Sequence, residues 1–312
     1  MTLTKAAQAE KTPKESIVND FSMIIGTVNG SGSQTSNLTL IRAIFKMGVP
    51  VSGKNIYPSN IQGMPTWFNI RVSKDGYLAR APQPEIVVAM CEESFQEDIA
   101  RLPEGGVLLY DKGIRQEIPR DDIIRYPIPV QTLVRGSDAP RNLQDYVANM
   151  VYVGALAYFL GIDLEKIQHA LEYHFSGKSK PIELNMRVVR DSAAWCAENL
   201  EKQDPYLLHE MEVNEGLKLV SGNEAAAIGS AFGGVQFVGW YPITPATGLA
   251  DMLQIYLPQL RKDPETGKNT FAIVQAEDEL AAVGMAVGAG WGGIRAMTST
   301  SGPGLSLMTE FV

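Results

Sequence analysis

A chain of 312 residues, 45% hydrophobic and 20% charged, has the composition of a globular protein with room for about two domains. Its net charge of −8 argues against nucleic acid and against an anionic membrane surface as partners. Cys91 and Cys196 form no CxxC pair, are too few to carry an iron–sulfur cluster, and fit a reducing, cytoplasmic compartment. His169, His174 and His209 fall in or near polar helical stretches without ligand spacing, so no metal site is expected.

Residues 1–17 are polar, lack the apolar centre of a signal peptide and read as a tail. Phe21–Ile25 reads as a strand, followed by the glycine-rich GTVNGSGSQ and a helix from about Thr35 to Met47. Strand, glycine-rich turn and helix is a layout that can cradle an anion, because amides at a helix start point outward. Gly26, Gly30 and Gly32 do not make GxGxxG, and no GK[ST] follows. No acid closes the next strand, Val49–Val51, to take a ribose hydroxyl, which speaks against a nicotinamide site. Gly30, Ser31 and Gly32 are thus either an anion nest or a tight turn beside a partner.

Tyr57, Pro58, Ser59, Asn60 and Gly63 read as a loop, and the alternation in Thr66–Val72 as a strand. Strands are expected at Glu85–Met90, Gly106–Tyr110 and Asp122–Tyr126, with a short helix at Ser94–Arg101. A long helix is expected from Leu143. Its apolar part, between Asp145 and Asp163, is 17 residues long and contains Asn149, short of the about 20 apolar residues that a membrane span needs. Helices at Leu164–Tyr173 and Pro181–Lys202 complete an α/β layer domain over 18–203. The mixed charges of 204–221 read as a linker.

The second domain is expected over 222–312. A helix over Asn223–Ala231 leads to the strand VQFVGWY, and the loop PITPAT holds Thr244 between Pro242 and Pro245. Two prolines restrict the backbone on either side of that hydroxyl, which suits a ligand contact and equally suits a plain turn capped by Thr247. After a helix to Leu257 and a polar insert comes FAIVQAEDELAAVGMAVGAGWGGIRAMTSTSGPGL, which reads strand, helix, strand, loop: a βαβ crossover with its functional edge at the strand ends. Glu277, Asp278 and Glu279 stand in the first helical turn, where they could cap the helix or serve a ligand. Gly284, Gly288 and Gly292 each cost a helix interior about 1 kcal/mol, so something is expected to approach that face closely. No GDG followed by a downstream Asn marks a magnesium–diphosphate site. Val312 falls inside an expected new helix, and about 90 residues are few for a doubly wound domain, so this domain is expected to be incomplete.

GNEAAAIGSAFGGVQFVGWYPITPAT and QAEDELAAVGMAVGAGWGGIRAMTSTSGPGLSLMTE closely resemble the alpha subunit of 2-oxoacid:ferredoxin oxidoreductases. GTVNGSGSQ, YPSNIQGMPTWFNIRVS and RNLQDYVANMVYVGALAYFLG resemble that family's gamma domain, and the likeness covers about residues 18–312. The resemblance implies a Rossmann-like gamma domain followed by an α/β domain that binds the pyrimidine of thiamine diphosphate. It implies a beta subunit on another chain that holds the diphosphate, Mg2+ and a [4Fe–4S] cluster, in a dimer of heterodimers (a heterotetramer) that passes electrons to ferredoxin. Gamma before alpha is typical of 2-oxoglutarate and broad 2-oxoacid enzymes, so 2-oxoglutarate and coenzyme A are the first expected substrates. Pyruvate, a cluster-free thiamine-dependent decarboxylase and a non-catalytic scaffold are the alternatives. Counting back from Gly304 through Thr300, the family's pyrimidine-contacting glutamate falls on Glu279, with Glu277 its rival. Thr244 matches the family's substrate-contacting threonine. Tyr241, Pro242, Ile243, Ser301 and Gly302 are implied to line the same pocket, and Gly30, Ser31 and Gly32 to lie near coenzyme A. The family's substrate-carboxylate arginine has no counterpart in these residues.

Overall fold

The computed structural model describes residues 16–56 and 62–311. Tyr57, Pro58, Ser59 and Asn60, expected in a loop, lie outside them. The chain divides into two units after Lys218.

The first unit opens with β1 (Ile17–Val18) and β2 (Asp20–Val28), then α1 (Ser33–Lys46), β3 (Val51–Ile56), β4 (Pro65–Ser73), β5 (Ile86–Ala89), α2 (Phe95–Ala100), β6 (Val107–Asp111) and β7 (Ile124–Ile128). Helices α3 (Val130–Gly136), α4 (Gln144–Ala148), α5 (Met150–Leu160), α6 (Leu164–His174) and α7 (Ser179–Asn199) follow, then β8 (Tyr206–Leu207), which pairs with β1. The main sheet has the order β3-β4-β2-β5-β6-β7. β2, β5, β6 and β7 run parallel, whereas β4 is antiparallel to both β2 and β3. The expected α/β class is what forms, with an antiparallel pair of strands at one edge. β5 is buried along its whole length, as a central parallel strand should be.

One long helix from Leu143 was the expectation; a short 3-10 turn, α4 and α5 stand there, broken at Asn149. Every residue of α5 but Tyr158 is buried. Gly154 lets α7 lie against α5, since a Cβ there would collide with the Val189 carbonyl. The expected linker is largely docked on this unit. Asp204 is buried and accepts from Tyr126 Oη at 2.8 Å and Lys202 Nζ at 2.6 Å. Asn214 Nδ2 donates to the carbonyls of Phe45 at 3.0 Å and Val49 at 2.8 Å. Asp204 and Asn214 are thus buried and satisfied, whereas most of 209–221 is exposed.

The second unit holds α8 (Gly222–Phe232), β9 (Phe237–Trp240), α9 (Thr247–Leu260), β10 (Ala272–Gln275), α10 (Glu279–Trp291), β11 (Ala296–Met297) and α11 (Gly302–Met308). Its sheet, β10-β9-β11, is all parallel with β9 at the centre. Ser221 caps α8 by accepting from the Glu224 amide at 3.1 Å. Ala227, Ala231, Val238, Trp240, Ala250, Leu253 and Leu257 form a core that joins α8 and α9 to the sheet. The close backbone approach expected of α10 occurs at Gly239 of β9, where a Cβ would sit 2.8 Å from the Ala282 carbonyl. The helix's own glycines are freer: among the described residues Gly288 meets nothing within 4 Å, and the nearest atoms to Gly284 belong to the ring of Phe311. Among the described residues no helix is long and apolar enough to cross a membrane.

Candidate functional site

Three parallel strands ending together gather the second unit's motifs. Trp240 pairs with Gln275, and Met297 with Val238. The segments that leave these strands, 241–246, 276–278 and 298–301, therefore start from one edge of the sheet, where α/β folds place their ligands.

The acids there take different roles. Asp278 is the cap of α10, its Oδ1 accepting from the Ala281 amide at 2.7 Å. Glu277 is exposed. Glu279 is 8% exposed, and its carboxyl group has no hydrogen-bond or ion-pair partner among the described residues. The glycine of α11 sets its surroundings. A Cβ on Gly304 would collide with Thr300 Oγ1 and lie 2.9 Å from Glu279 Cγ and 3.1 Å from Glu279 Oε1. The hydroxyls of Thr298, Ser299 and Thr300 are buried without partners among the described residues. Three consecutive buried hydroxyls left unmatched are costly in isolation, each unmade hydrogen bond being worth about 1–3 kcal/mol, and the last of them, Thr300, flanks Glu279 across Gly304. Such an arrangement suits a polar ring with donors and acceptors on its edge.

The loop after β9 comes from the same edge. Tyr241 and Ile243 are half-buried, whereas Pro242 and Thr244 are exposed. The Thr244–Pro245 peptide bond is cis. Thr247 donates its amide and its hydroxyl to the Ile243 carbonyl at 3.0 and 3.2 Å. Asn223 Nδ2 holds the Pro245 carbonyl at 2.9 Å, a tether that the sequence showed only as the start of a helix. Ser301 stands before α11 in extended conformation and Gly302 opens that helix, so 302–304 is its first turn and not a loop.

A separate cavity of about 340 Å3 lies in the first unit. Gly30 and Gly32, at φ 85° and 82°, shape its rim, and Asn37, Asn55, Trp67 and Tyr146 are among its walls. Asn149, at the helix break, donates from Nδ2 to the Ser31 carbonyl at 2.8 Å and lies 3.3 Å from its hydroxyl. Tyr146 packs on Gly32, where a Cβ would lie 3.2 Å from the Tyr146 ring. The Trp67 indole donates to Asp98 at 2.6 Å, while Ser94 donates to the other carboxyl oxygen at 2.9 Å. Burial raises the Asp98 pKa to about 6, against the lowering pull of those two hydrogen bonds. Asn149, Tyr146, Trp67 and Asp98 went unread in the sequence. The polar Asn149 inside an apolar helical run was the one visible signal.

Residues 22–195 match the family described as pyruvate ferredoxin/flavodoxin oxidoreductase. The chain belongs to this family. Residues 228–312 match the family's thiamine diphosphate-binding domain. The chain is 30% identical over 333 residues to the 2-oxoacid:ferredoxin oxidoreductase subunit alpha of Saccharolobus solfataricus, covering 93% of this chain and 51% of that one. It is 45% identical over 93 residues to the 2-oxoglutarate synthase subunit KorA of Methanothermobacter marburgensis, 30% of this chain and 22% of that one. Among solved structures it is similar to the 2-oxoglutarate:ferredoxin oxidoreductase of Magnetococcus marinus with 2-oxoglutarate, coenzyme A and succinyl-CoA bound. That likeness has a TM-score of 0.78 at 26% identity and covers 93% of this chain and 49% of that one. The chain spans about half the length of the curated relatives that match along most of it.

Proposed function

We propose that the chain is part of a 2-oxoacid:ferredoxin oxidoreductase that decarboxylates 2-oxoglutarate oxidatively to succinyl-CoA, or runs the reverse reductive carboxylation. The observation that carries this is Glu279: a largely buried acid whose carboxyl has no partner among the described residues, at the carboxyl edge of a parallel sheet, with Thr300, the last of three unmatched hydroxyls, beside it across Gly304. Those residues fit the pyrimidine end of thiamine diphosphate, which when bound supplies a nucleophilic carbon and an electron sink. Glu279 holds a proton against the ring nitrogen, in a site dry enough to strengthen that hydrogen bond. Thr244 lies on the adjoining loop and contacts substrate, while Tyr241, Pro242, Ile243, Ser301 and Gly302 bound the same space. Gly30, Ser31 and Gly32, held by Asn149, lie near coenzyme A.

In this reading residues 18–203 form the gamma domain and 222–312 the start of the alpha domain. The diphosphate, Mg2+ and a [4Fe–4S] cluster belong to a beta chain, paired in a dimer of heterodimers in the cytoplasm. Ferredoxin docks on that beta chain, because the net charge of −8 here would repel an acidic carrier. Support for 2-oxoglutarate comes from the names of the similar KorA subunit and of the Magnetococcus enzyme. Pyruvate is the second reading, favoured by the family description itself.

The test is to co-purify the chain with its beta partner, quantify thiamine and iron, and compare 2-oxoglutarate with pyruvate as electron donors to ferredoxin. Faster turnover of 2-oxoglutarate supports the proposal, whereas faster turnover of pyruvate selects the second reading. Turnover without iron or ferredoxin would overturn both.

A further inference from the structure

The first sheet carries a second, smaller cavity that shares no residue with the one beside Gly30 and Gly32. Across its floor Lys54 stands next to Asn69, and Arg71 next to Ser22, as directly paired positions on β3, β4 and β2. Paired positions point to the same face of a sheet, so these four side chains form one polar patch. The segment after β4 brings Arg80 to the cavity, and Arg101 follows α2. Four cations thus surround about 100 Å3 in a chain whose net charge is −8.

Two of the cations are neutralised locally: Arg71 by Asp20 at 2.5 Å and Arg101 by Glu97 at 2.5 Å. Lys54 and Arg80 have no ion pair among the described residues. Glu85, the acid that begins the next strand region, is engaged by the Ser22 amide at 2.6 Å. Beneath the cations, the Ser22 hydroxyl and the Asn69 amide nitrogen are buried without a hydrogen bond among the described residues. Ser22 is 6% exposed. Both groups can donate, and buried donors left unmatched are uncommon in folded proteins. Two unpaired cations and two unmatched donors around one small space complement an oxyanion.

We propose that this cavity binds a phosphate group, with Lys54 and Arg80 supplying charge and Ser22 and Asn69 supplying hydrogen bonds. The volume is well under the roughly 300 Å3 at which pockets begin to enclose a whole small-molecule ligand, so only a phosphoryl group enters. That group is free phosphate or the end of a larger molecule that lies outside. Neither donor is open to solvent in this arrangement, so binding requires the segment 78–84 to yield. Its tether is the Leu78 carbonyl, which accepts from the Ser52 hydroxyl at 2.7 Å. The inference is independent of the thiamine reading.

The experiment is calorimetric titration of the full chain with inorganic phosphate and with adenosine 3′,5′-bisphosphate, with folding checked by circular dichroism. Saturable binding of one or both is expected, weakened about tenfold or more in the Lys54→Met/Arg80→Met double variant, whose positions are exposed and leave the core alone. Asn69→Leu should weaken binding about fivefold or more by removing one donor. Preference for the bisphosphate assigns the site to an esterified phosphate, and equal affinity to free phosphate; either supports the proposal. No saturation by either probe below about 10 mM, or unchanged affinity in the double variant, would overturn it.

Discussion

The glycine-bearing loop of the first unit and the strand-end edge of the second meet their polar requirements differently. Around Gly30–Gly32 the chain supplies its own partners: Asn149 holds Ser31, Tyr146 packs on Gly32, and Asp98 fixes Trp67. Around Glu279 the described residues supply none to the carboxyl, nor to the hydroxyls of Thr298, Ser299 and Thr300. Exposed aromatics occur in both units, Trp291 at 93% and Phe232 at 77% in the second against Tyr77 at 71% and Tyr173 at 70% in the first. A loop satisfied internally keeps its shape without a ligand, whereas an edge with unmet hydrogen bonds gains most when something is bound. The first reads as a preformed cradle and the second as a half-site.

Substitutions can break this contrast. Gly304→Val forces a side chain against Thr300 Oγ1 and Glu279, and displacing a positioned carboxyl by about 1 Å should cost about 100-fold in turnover of the assembled enzyme. Unchanged turnover, measured as 2-oxoacid-dependent ferredoxin reduction, would mean that α11 does not set Glu279.

Asp98→Asn is next. With a folded-state pKa of about 6 against 3.8 in the free side chain, the folded protein keeps a proton that the unfolded chain releases between those values. The stability contributed by Asp98 is therefore fully present below about pH 4 and lost as pH rises to about 6, a change of about 3 kcal/mol. The variant should lose that slope. Urea unfolding of both proteins from pH 4 to 7 measures it, and parallel curves would contradict the burial argument.

Asn149→Ala should cost about 1 kcal/mol and speed amide hydrogen exchange around Ser31, while exchange around Thr298–Thr300 stays as it was. Trp291→Ser should change the chain's own stability by less than about 0.5 kcal/mol, because so exposed a ring contributes little to its core. A larger loss would place Trp291 in the core and weaken the half-site reading.

The apolar runs made most strands legible. Phe271–Val274 was expected where Ala272–Gln275 stands, and Thr66–Val72 lies within β4. The direction of β4 was not legible, because an alternating strand pairs equally well either way and its partner β2 is far along the chain. The break at Asn149 was hidden by the uniformly apolar residues around it, although the asparagine itself stood out. At the candidate site, sequence left Glu277 and Glu279 as rivals and Asp278 as a possible cap. Burial separates them: Asp278 caps, Glu277 faces outward and Glu279 turns inward. Resemblance had already pointed to Glu279. What no pattern could provide was Asp98 beneath Trp67, or the cationic floor of Lys54 and Arg71, since both depend on pairings across strands or from strand to helix.

The central claim is that the Glu279 carboxyl holds a proton against the cofactor's pyrimidine ring. Hydrogen–deuterium exchange at the thiazolium C2 position, in the complex with its beta chain, tests this directly. Glu279→Gln should leave thiamine diphosphate bound but slow the exchange by about 100-fold or more. Exchange as fast as in the unsubstituted enzyme, with the cofactor equally retained, would contradict the account.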